Sequence, residues 1–423
     1  MESNKKLSLS HNLLWNSIGS FVYLACQWAI SSFLVLRVTN DESIAGILTL
    51  AITITNIFFN VSCFNVRPYL ISDLRGRYKD DEYISFRIFT CILGYILCFI
   101  YILFFAYSFN EILCIMLFML YKIGEAVVDI MHAFEQRDSR MDIGGKSLLL
   151  RGVTSLISFY FTLKFTENIS VSVLIMIMFS FICILIYDIP SVKKFVYIKF
   201  SFSFIAMKQM FIEFLPLTIA SFLSTFSVSF PRQMLDLLEG NAILAIYGYV
   251  AAPTVIVQVA ASYIFNPFLT IFADYLNKND ITSFKTMLYK ITAILIGISV
   301  VCIIGGQILG AFGLQILYGE RIASYSYLLV PIILYTSLTA FVWFLWNLLI
   351  ILRCLKQLLI INILGLIIVL GCSYFAIQQY SMDGVTYVLL IYVIVVLIMM
   401  LLLLRSKLHQ FEKRDNEVEC QKN

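Results

Sequence analysis

The sequence predicts an all-α integral membrane protein of twelve transmembrane helices arranged as two six-helix bundles. Three observations lead there. The 423 residues are 61% hydrophobic and 13% charged, with a mean hydropathy of +0.90, more apolar surface than a polar shell could cover in water. Long apolar runs divide the chain into regular intervals. The Lys and Arg residues between those runs fall almost entirely into every second gap, the mark of loops that stay on the side from which helices insert.

The runs cover residues 13–36, 44–66, 88–106, 112–131, 147–164, 171–189, 211–230, 242–265, 291–310, 327–350, 358–377 and 385–404. Each approaches the ~20 residues that cross a hydrocarbon core. The fifth carries Arg151 one turn inside its start, an arginine expected to snorkel to the near interface. On one side lie Lys5 and Lys6, then Arg67, Arg75, Arg77, Lys79 and Arg87, then Arg137, Arg140, Lys146 and Arg151. The same side takes Lys193, Lys194, Lys199 and Lys208, then Lys278, Lys285 and Lys290, then Arg353 and Lys356, and the basic tail. Only Arg37, Lys164, Arg232 and Arg321 fall on the other side, and Lys122 stands inside a run. Both termini are therefore expected in the cytoplasm.

Six spans, the basic stretch from Ser191 to Gln209, and six more spans suggest an internal duplication, dividing the chain into 1–200 and 201–423. The hairpin after Arg37 (Ile44-Ala45-Gly46-Ile47) and that after Arg232 (Tyr247-Gly248-Tyr249) occupy matching places. An even number of spans per half makes the repeats parallel and implies a cleft suited to alternating access. The segment Phe202–Phe211 is expected to be an interfacial connector, and Pro216, Pro253 and Pro267 to kink or end the seventh and eighth spans.

These spans leave no room for a soluble catalytic domain or a nucleotide-driven motor. The sequence holds no Gly-rich phosphate loop, no HExxH and no CxxC pair. The ten cysteines read as small apolar fillers, and His11, His132 and His409 are too scattered for a metal site. No cofactor and no nucleic-acid partner is expected. Lys5 and Lys6 precede a run too long for a signal-peptide core, so no cleavable leader is expected.

The chemistry concentrates in the fourth span, where Lys122, Glu125 and Asp129 share one helical face. Each such group costs about 2.5–3.5 kcal/mol at the bilayer centre, which forbids a lipid-facing placement. One reading is a structural Lys122–Glu125 pair with Asp129 at the interface. The other is a polar lining, with Lys122 for an anionic substrate group and Glu125 and Asp129 for a proton or sodium ion. Arg37 and Arg232 close the first and seventh spans, either as interface anchors or as guanidiniums for phosphate oxygens. Asn56 and Asn60 share a face of the second span and, with Gln27 and Gln258, suit interhelical hydrogen bonds or a polar lining.

With these features the chain resembles the polysaccharide-transporter branch of the multidrug/oligosaccharidyl-lipid/polysaccharide (MOP) exporter superfamily, the Wzx-type flippases. The likeness spans nearly the whole chain, in its 6+6 arrangement with both ends cytoplasmic. Local pieces add to it: Asp129-Ile130-Met131-His132-Ala133-Phe134-Glu135-Gln136-Arg137 through Arg151-Gly152, Pro231-Arg232 leading to Gly240 and Tyr247-Gly248, and Leu317-Tyr318-Gly319. The resemblance implies a bacterial inner-membrane protein that moves a polyprenyl-diphosphate-linked oligosaccharide to the outer leaflet for O-antigen (lipopolysaccharide) or capsule assembly. It further implies substrate contacts at Arg37, Lys122 and Arg232 within a MATE-like fold. An H+ or Na+ gradient acting through Glu125 or Asp129, or consumption of the product outside, would supply direction. Membrane lipids and other polysaccharide-assembly proteins are the implied partners.

Two alternatives remain. A MATE-type drug or cation antiporter would share the fold, but such proteins use carboxylates in the first and seventh spans. The first span here has none before Asp41, and Glu213 sits near the start of the seventh. A membrane-embedded glycan polymerase or ligase would need a sizeable outer catalytic loop, and the outer gaps are short.

Overall fold

A computed structural model describes residues 9–72, 77–197, 203–265, 268–278 and 280–422. Lys5, Lys6, Arg75, Lys199, Phe202 and Pro267 lie outside the described residues. Among those described the chain is helical throughout, with no strand. Helix α1 runs Leu9–Ala29, passes through a π-helical segment Ile30–Leu34 and ends as Val35–Thr39. Then follow α2 (Glu42–Cys63), a short helix Val66–Ser72, α3 (Asp80–Ile102), α4 (Phe109–Arg137) and α5 (Met141–Thr166). Helix α6 (Ile169–Cys183) continues through a π-helical segment Ile184–Asp188 into Ile189–Val192. Helix α7 is Phe204–Glu239. Helix α8 is Asn241–Ala251 and Val255–Phe265, joined by a 3-10 turn Ala252–Thr254. Helices α9 (Ile281–Tyr318) and α10 (Leu329–Ile351) follow. The last stretch, Leu355–Lys422, is two arms, α11 and α12, meeting at Ser381, whose φ of 53° and ψ of −127° are non-helical.

Nine helices among the described residues are long and apolar enough to cross a membrane, one of them the two-armed Leu355–Gln410. Helix α4 falls outside that set because Lys122, Glu125 and Asp129 charge its centre. Counting both arms, α4 and α1, the described residues hold twelve long helices. Large apolar side chains stand on their outer surfaces. Phe165 on α5 is 80% exposed and Ile308 on α9 72%, a surface that needs lipid around it.

Helix ends explain how so many rods fit with so little loop. Asp41 accepts from the Ser43 amide at 2.8 Å to start α2. Ser108 and Glu111 cap each other at the start of α4, with the Ser108 amide 2.6 Å from Glu111 Oε2. Asn168 caps α6, accepting from Val171 at 3.2 Å. Gly240 alone separates α7 from α8, and its φ of +88° is left-handed backbone that a side chain would strain.

One expectation needs correction. From Phe204 onward the anticipated interfacial connector is the opening turns of α7, one helix of 36 residues. At 1.5 Å per residue it reaches about 54 Å, so it spans the bilayer and projects beyond it. Pro216 lies within that uninterrupted helix, whereas Pro253 sits in the 3-10 turn that divides α8, where its missing N–H breaks the hydrogen-bond ladder.

The chain divides into two compact units, Met1–Thr225 with Gly240–Ala245, and Phe226–Glu239 with Ile246–Asn423. In the first, α1 packs on α5 at backbone distance: a methyl at Gly19 would collide with the Gly145 carbonyl, and one at Gly145 with the Trp15 carbonyl. An aromatic core at the end bearing the basic loops stacks Phe64 on Phe211 (5.0 Å) and Tyr69 on Phe214 (4.1 Å). That core seats the short helix Val66–Ser72 against α4 and thereby aims Arg67 inward.

Candidate functional site

Helix α4 turns its charged stripe into the first unit. Its side of a cavity of about 400 Å³ is formed by Glu125, Asp129, His132 and Glu135, and the opposing wall includes Arg67, Gly144 and Arg151. The stripe follows helical spacing, so one rotation of α4 places every group at once.

Arginines neutralise its middle. The Arg151 guanidinium on α5 pairs with the Glu125 carboxylate, to which Tyr23 on α1 also donates. Gln27 extends the group by donating to Tyr121 Oη at 2.7 Å, and the Tyr23 and Tyr121 hydroxyls lie 3.2 Å apart. One turn on, Asp129 receives Arg67 Nη1 at 2.9 Å and Arg87 Nη2 at 3.0 Å on separate oxygens. Arg67 also donates to Gln136 Oε1 at 2.8 Å, and Arg87 to the Ser62 carbonyl at 2.8 Å. Two buried positions, Arg87 and Arg151, each 1% exposed, thus hold cations that survive only because a carboxylate meets them.

Arg151 therefore does not snorkel. It points inward because Glu125 offers more than the interface would. The structural Lys122–Glu125 pair is likewise absent. The Lys122 ammonium lies over Phe59 at 5.2 Å and Phe118 at 5.8 Å, with no ion pair among the described residues. Of the three residues in the stripe, the structure brings Glu125 and Asp129 to the cavity and leaves Lys122 off its lining.

The remaining sequence candidates are dispersed. Asn60 donates to Thr225 Oγ1 and to the Asn56 carbonyl, both at 3.0 Å, an interhelical bond between α2 and α7. Arg37 is exposed near the end of α1. Gln258 is buried on α8. In the second unit, Arg232 on α7 lies 5.9 Å over the Tyr247 ring, and its Nε is buried without a hydrogen-bond partner. The Tyr247 hydroxyl bonds Thr386 Oγ1 on α12 at 3.3 Å. Tyr23, Arg67, Arg87, Arg151, His132, Glu135 and Asp188 were not among the site residues the sequence pointed to. The i, i+4, i+7, i+11 spacing of Glu125, Asp129, His132 and Gln136, one helical face, was the one available signal.

No family model matches the chain. It is 24% identical over 325 residues to the capsular polysaccharide biosynthesis protein CapF of Staphylococcus aureus, covering 75% of this chain and 80% of the relative. Among solved structures it is similar to an inward-facing multidrug resistance MATE family transporter of the MOP superfamily. There the TM-score is 0.71 at 11% identity, covering 95% of this chain and 99% of that one. An outward-facing MATE family transporter gives 0.60 at 14% identity, covering 97% and 98%. The Vibrio cholerae MATE transporter VcmN in its bent form gives 0.61 at 12% identity, covering 96% and 98%. The chain has the fold of MOP-superfamily transporters, a multi-pass membrane fold.

Proposed function

We propose that this chain is a flippase that carries polyprenyl-diphosphate-linked glycan repeat units across the bacterial cytoplasmic membrane by alternating access, for surface-polysaccharide assembly. The likeness to a capsular polysaccharide biosynthesis protein over most of both chains carries this reading. The chemistry of the interior supports it. A diphosphate linked to sugars needs a wet, partly cationic passage, and Lys122 holds a cation on α4 without neutralising it by a carboxylate. Arg232, with its unpartnered Nε, offers a second cation in the other unit. In this reading both termini are cytoplasmic, and Arg37, Asn56 and Asn60 contribute polar contacts along the path. Either an ion gradient or consumption of the flipped unit outside drives the cycle.

The fold alone favours a second reading, a drug or cation antiporter, since the similar solved structures are MATE transporters. Against it, α1 presents Tyr23 and Gln27 to the interior where such a protein would want a carboxylate. Deleting the gene in its host separates the two. Loss of surface polysaccharide, with the lipid-linked unit accumulating in the inner leaflet, is expected. Strong, gradient-dependent resistance to toxic cations in an efflux-deficient host, with surface glycan intact, would replace the flippase with the antiporter.

A further inference from the structure

Beyond the arginine-bound carboxylates, the basic-loop end of the first unit holds acidic groups that no Lys or Arg pairs with among the described residues. Glu135, near the end of α4, and Asp188, which closes the π-helical segment following α6, are each 1% exposed, and His132 is 8% exposed. Both oxygens of Glu135 and both of Asp188 are buried without a hydrogen-bond partner, as is His132 Nε2. That nitrogen stands 3.9 Å from Asp188 Oδ1. The contrast with the neighbouring carboxylates is plain. Glu125 holds Arg151, Asp129 holds Arg67 and Arg87, and Asp142 holds Arg140 at 2.8 Å and Lys146 at 3.7 Å.

Besides Asp188, the charges that act on Glu135 are Asp142, Arg140 and Arg67. Arg67 and Arg140 act on Glu135 only at a distance, each being bound to another carboxylate. Asp142 adds like charge, and Tyr187 offers a hydroxyl that sits 3.5 Å from the Ile143 carbonyl. Burial and the neighbouring Asp188 charge both oppose ionisation of Glu135, which no Lys or Arg pairs with. A carboxylate takes up a proton with no further ligand, whereas a metal ion needs several, and among the described residues no three His, Cys, Asp or Glu side chains converge as metal ligands. Access is built in: His132 and Glu135 line the cavity. Opposite them a side chain on Gly144 would crowd both, its Cβ lying 3.2 Å from His132 Cγ and 3.3 Å from Glu135 Oε2.

We propose that His132, Glu135 and Asp188 form a proton-binding site at the basic-loop end of the first unit, exchanging protons through the adjoining cavity. The site takes one proton onto Glu135, with the Asp188 carboxylate and the His132 ring beside it, and returns it when the cavity is opened to a less acidic solution. Its role in coupling rests on the transporter reading above. Proton binding itself does not. The gradient-coupling residues would then be these three, in place of Glu125 and Asp129.

The test is infrared titration of the full chain in lipid nanodiscs, following the protonated-carboxyl C=O stretch as pH is raised, alongside dye-measured proton release. Wild type should show a carboxyl band that disappears on alkalinisation. Glu135→Gln should lose that band and release about one proton per chain fewer. Asp188→Asn should shift the band's midpoint to lower pH, since the like charge that opposes ionisation is gone. Glu213→Gln, whose carboxylate is held by Arg77 at 2.8 Å, should leave the band unchanged. If Glu135→Gln is not recovered monodisperse, Asp188→Asn gives its own reading. An unaltered band in whichever of these two variants is recovered overturns the site. So does a band displaced by sodium but not by choline at constant pH. A wild-type band that titrates as expected in a protein that flips no glycolipid refutes the function proposed above and leaves the proton site standing.

Discussion

Glu125 on α4 is bound to Arg151 on α5 and not to Lys122, its neighbour three residues back on the same helix. That choice leaves Lys122 over the Phe59 and Phe118 rings, and it stitches α4 to α5 inside the first unit. Removing one partner of such a buried pair strands the other charge in a place it cannot be solvated, at a cost of about 3–5 kcal/mol. Arg151→Met and Glu125→Leu should each lower the thermal midpoint of the purified protein sharply. The double variant should recover most of the loss, because two apolar side chains leave no orphan charge. Additive losses in a double-mutant cycle would show that the two groups do not depend on each other.

Asp129 makes a related but stronger case, since it satisfies two arginines at 2.9 and 3.0 Å. Of these, Arg87 is 1% exposed and Arg67 39%. Asp129→Asn should therefore destabilise more than Arg67→Ala, whose partner keeps its other guanidinium. Equal losses, measured as the temperature at which half the detergent-solubilised protein precipitates, would mean that Arg87 finds another partner.

The path from sequence to this network was only partly open. Hydropathy and the alternation of Lys and Arg specify the rods, because both properties are summed over many residues and survive local exceptions. Helical spacing likewise told that Glu125 and Asp129 face one way. It could not tell what they meet. Arg87 and Arg151 read as interfacial cations because each lies within a turn or so of a loop. Their burial follows from carboxylates brought from another helix, a fact of tertiary packing with no trace in the neighbouring residues. Lys122 misled for the converse reason: proximity along the helix suggested a pair, while a better-placed guanidinium took the carboxylate. His132 and Glu135 lie within the 129–137 stretch that carries the family likeness, but nothing in it points to Asp188, which a second helix brings to them.

Close approach of α1 and α5 depends on Gly19 and Gly145, where any Cβ would strike backbone of the opposite helix. Backbone cannot step aside as a flexible side chain can. Gly145→Val should abolish accumulation of folded protein in the membrane, seen as loss of the monodisperse peak of a fluorescent fusion. Gly297 on α9 meets nothing within 4 Å of a built Cβ. Gly297→Ala should leave that peak unchanged, with a gain of at most about 0.5–1 kcal/mol from lost backbone freedom in the unfolded chain. Should both variants behave alike, the tight contact does not hold α1 to α5.

Lys122 offers the sharpest test of the transported cargo. An ammonium beneath two rings is retained at a cost of about 2.5–3.5 kcal/mol relative to an apolar residue at that depth, so its loss should favour insertion. Lys122→Met is then expected to accumulate at wild-type level or above, while surface polysaccharide in a complemented deletion strain falls to the background of the deletion. Lys122→Arg keeps the charge but presents it as a wide planar fork, and should restore part of the glycan. The pattern of normal insertion, absent glycan and partial rescue by charge is what an anion-contacting group produces and a packing residue does not. Full surface glycan in Lys122→Met, scored by antibody against the polymer, would remove Lys122 from the substrate path and leave Arg232 as the interior cation to be tested next.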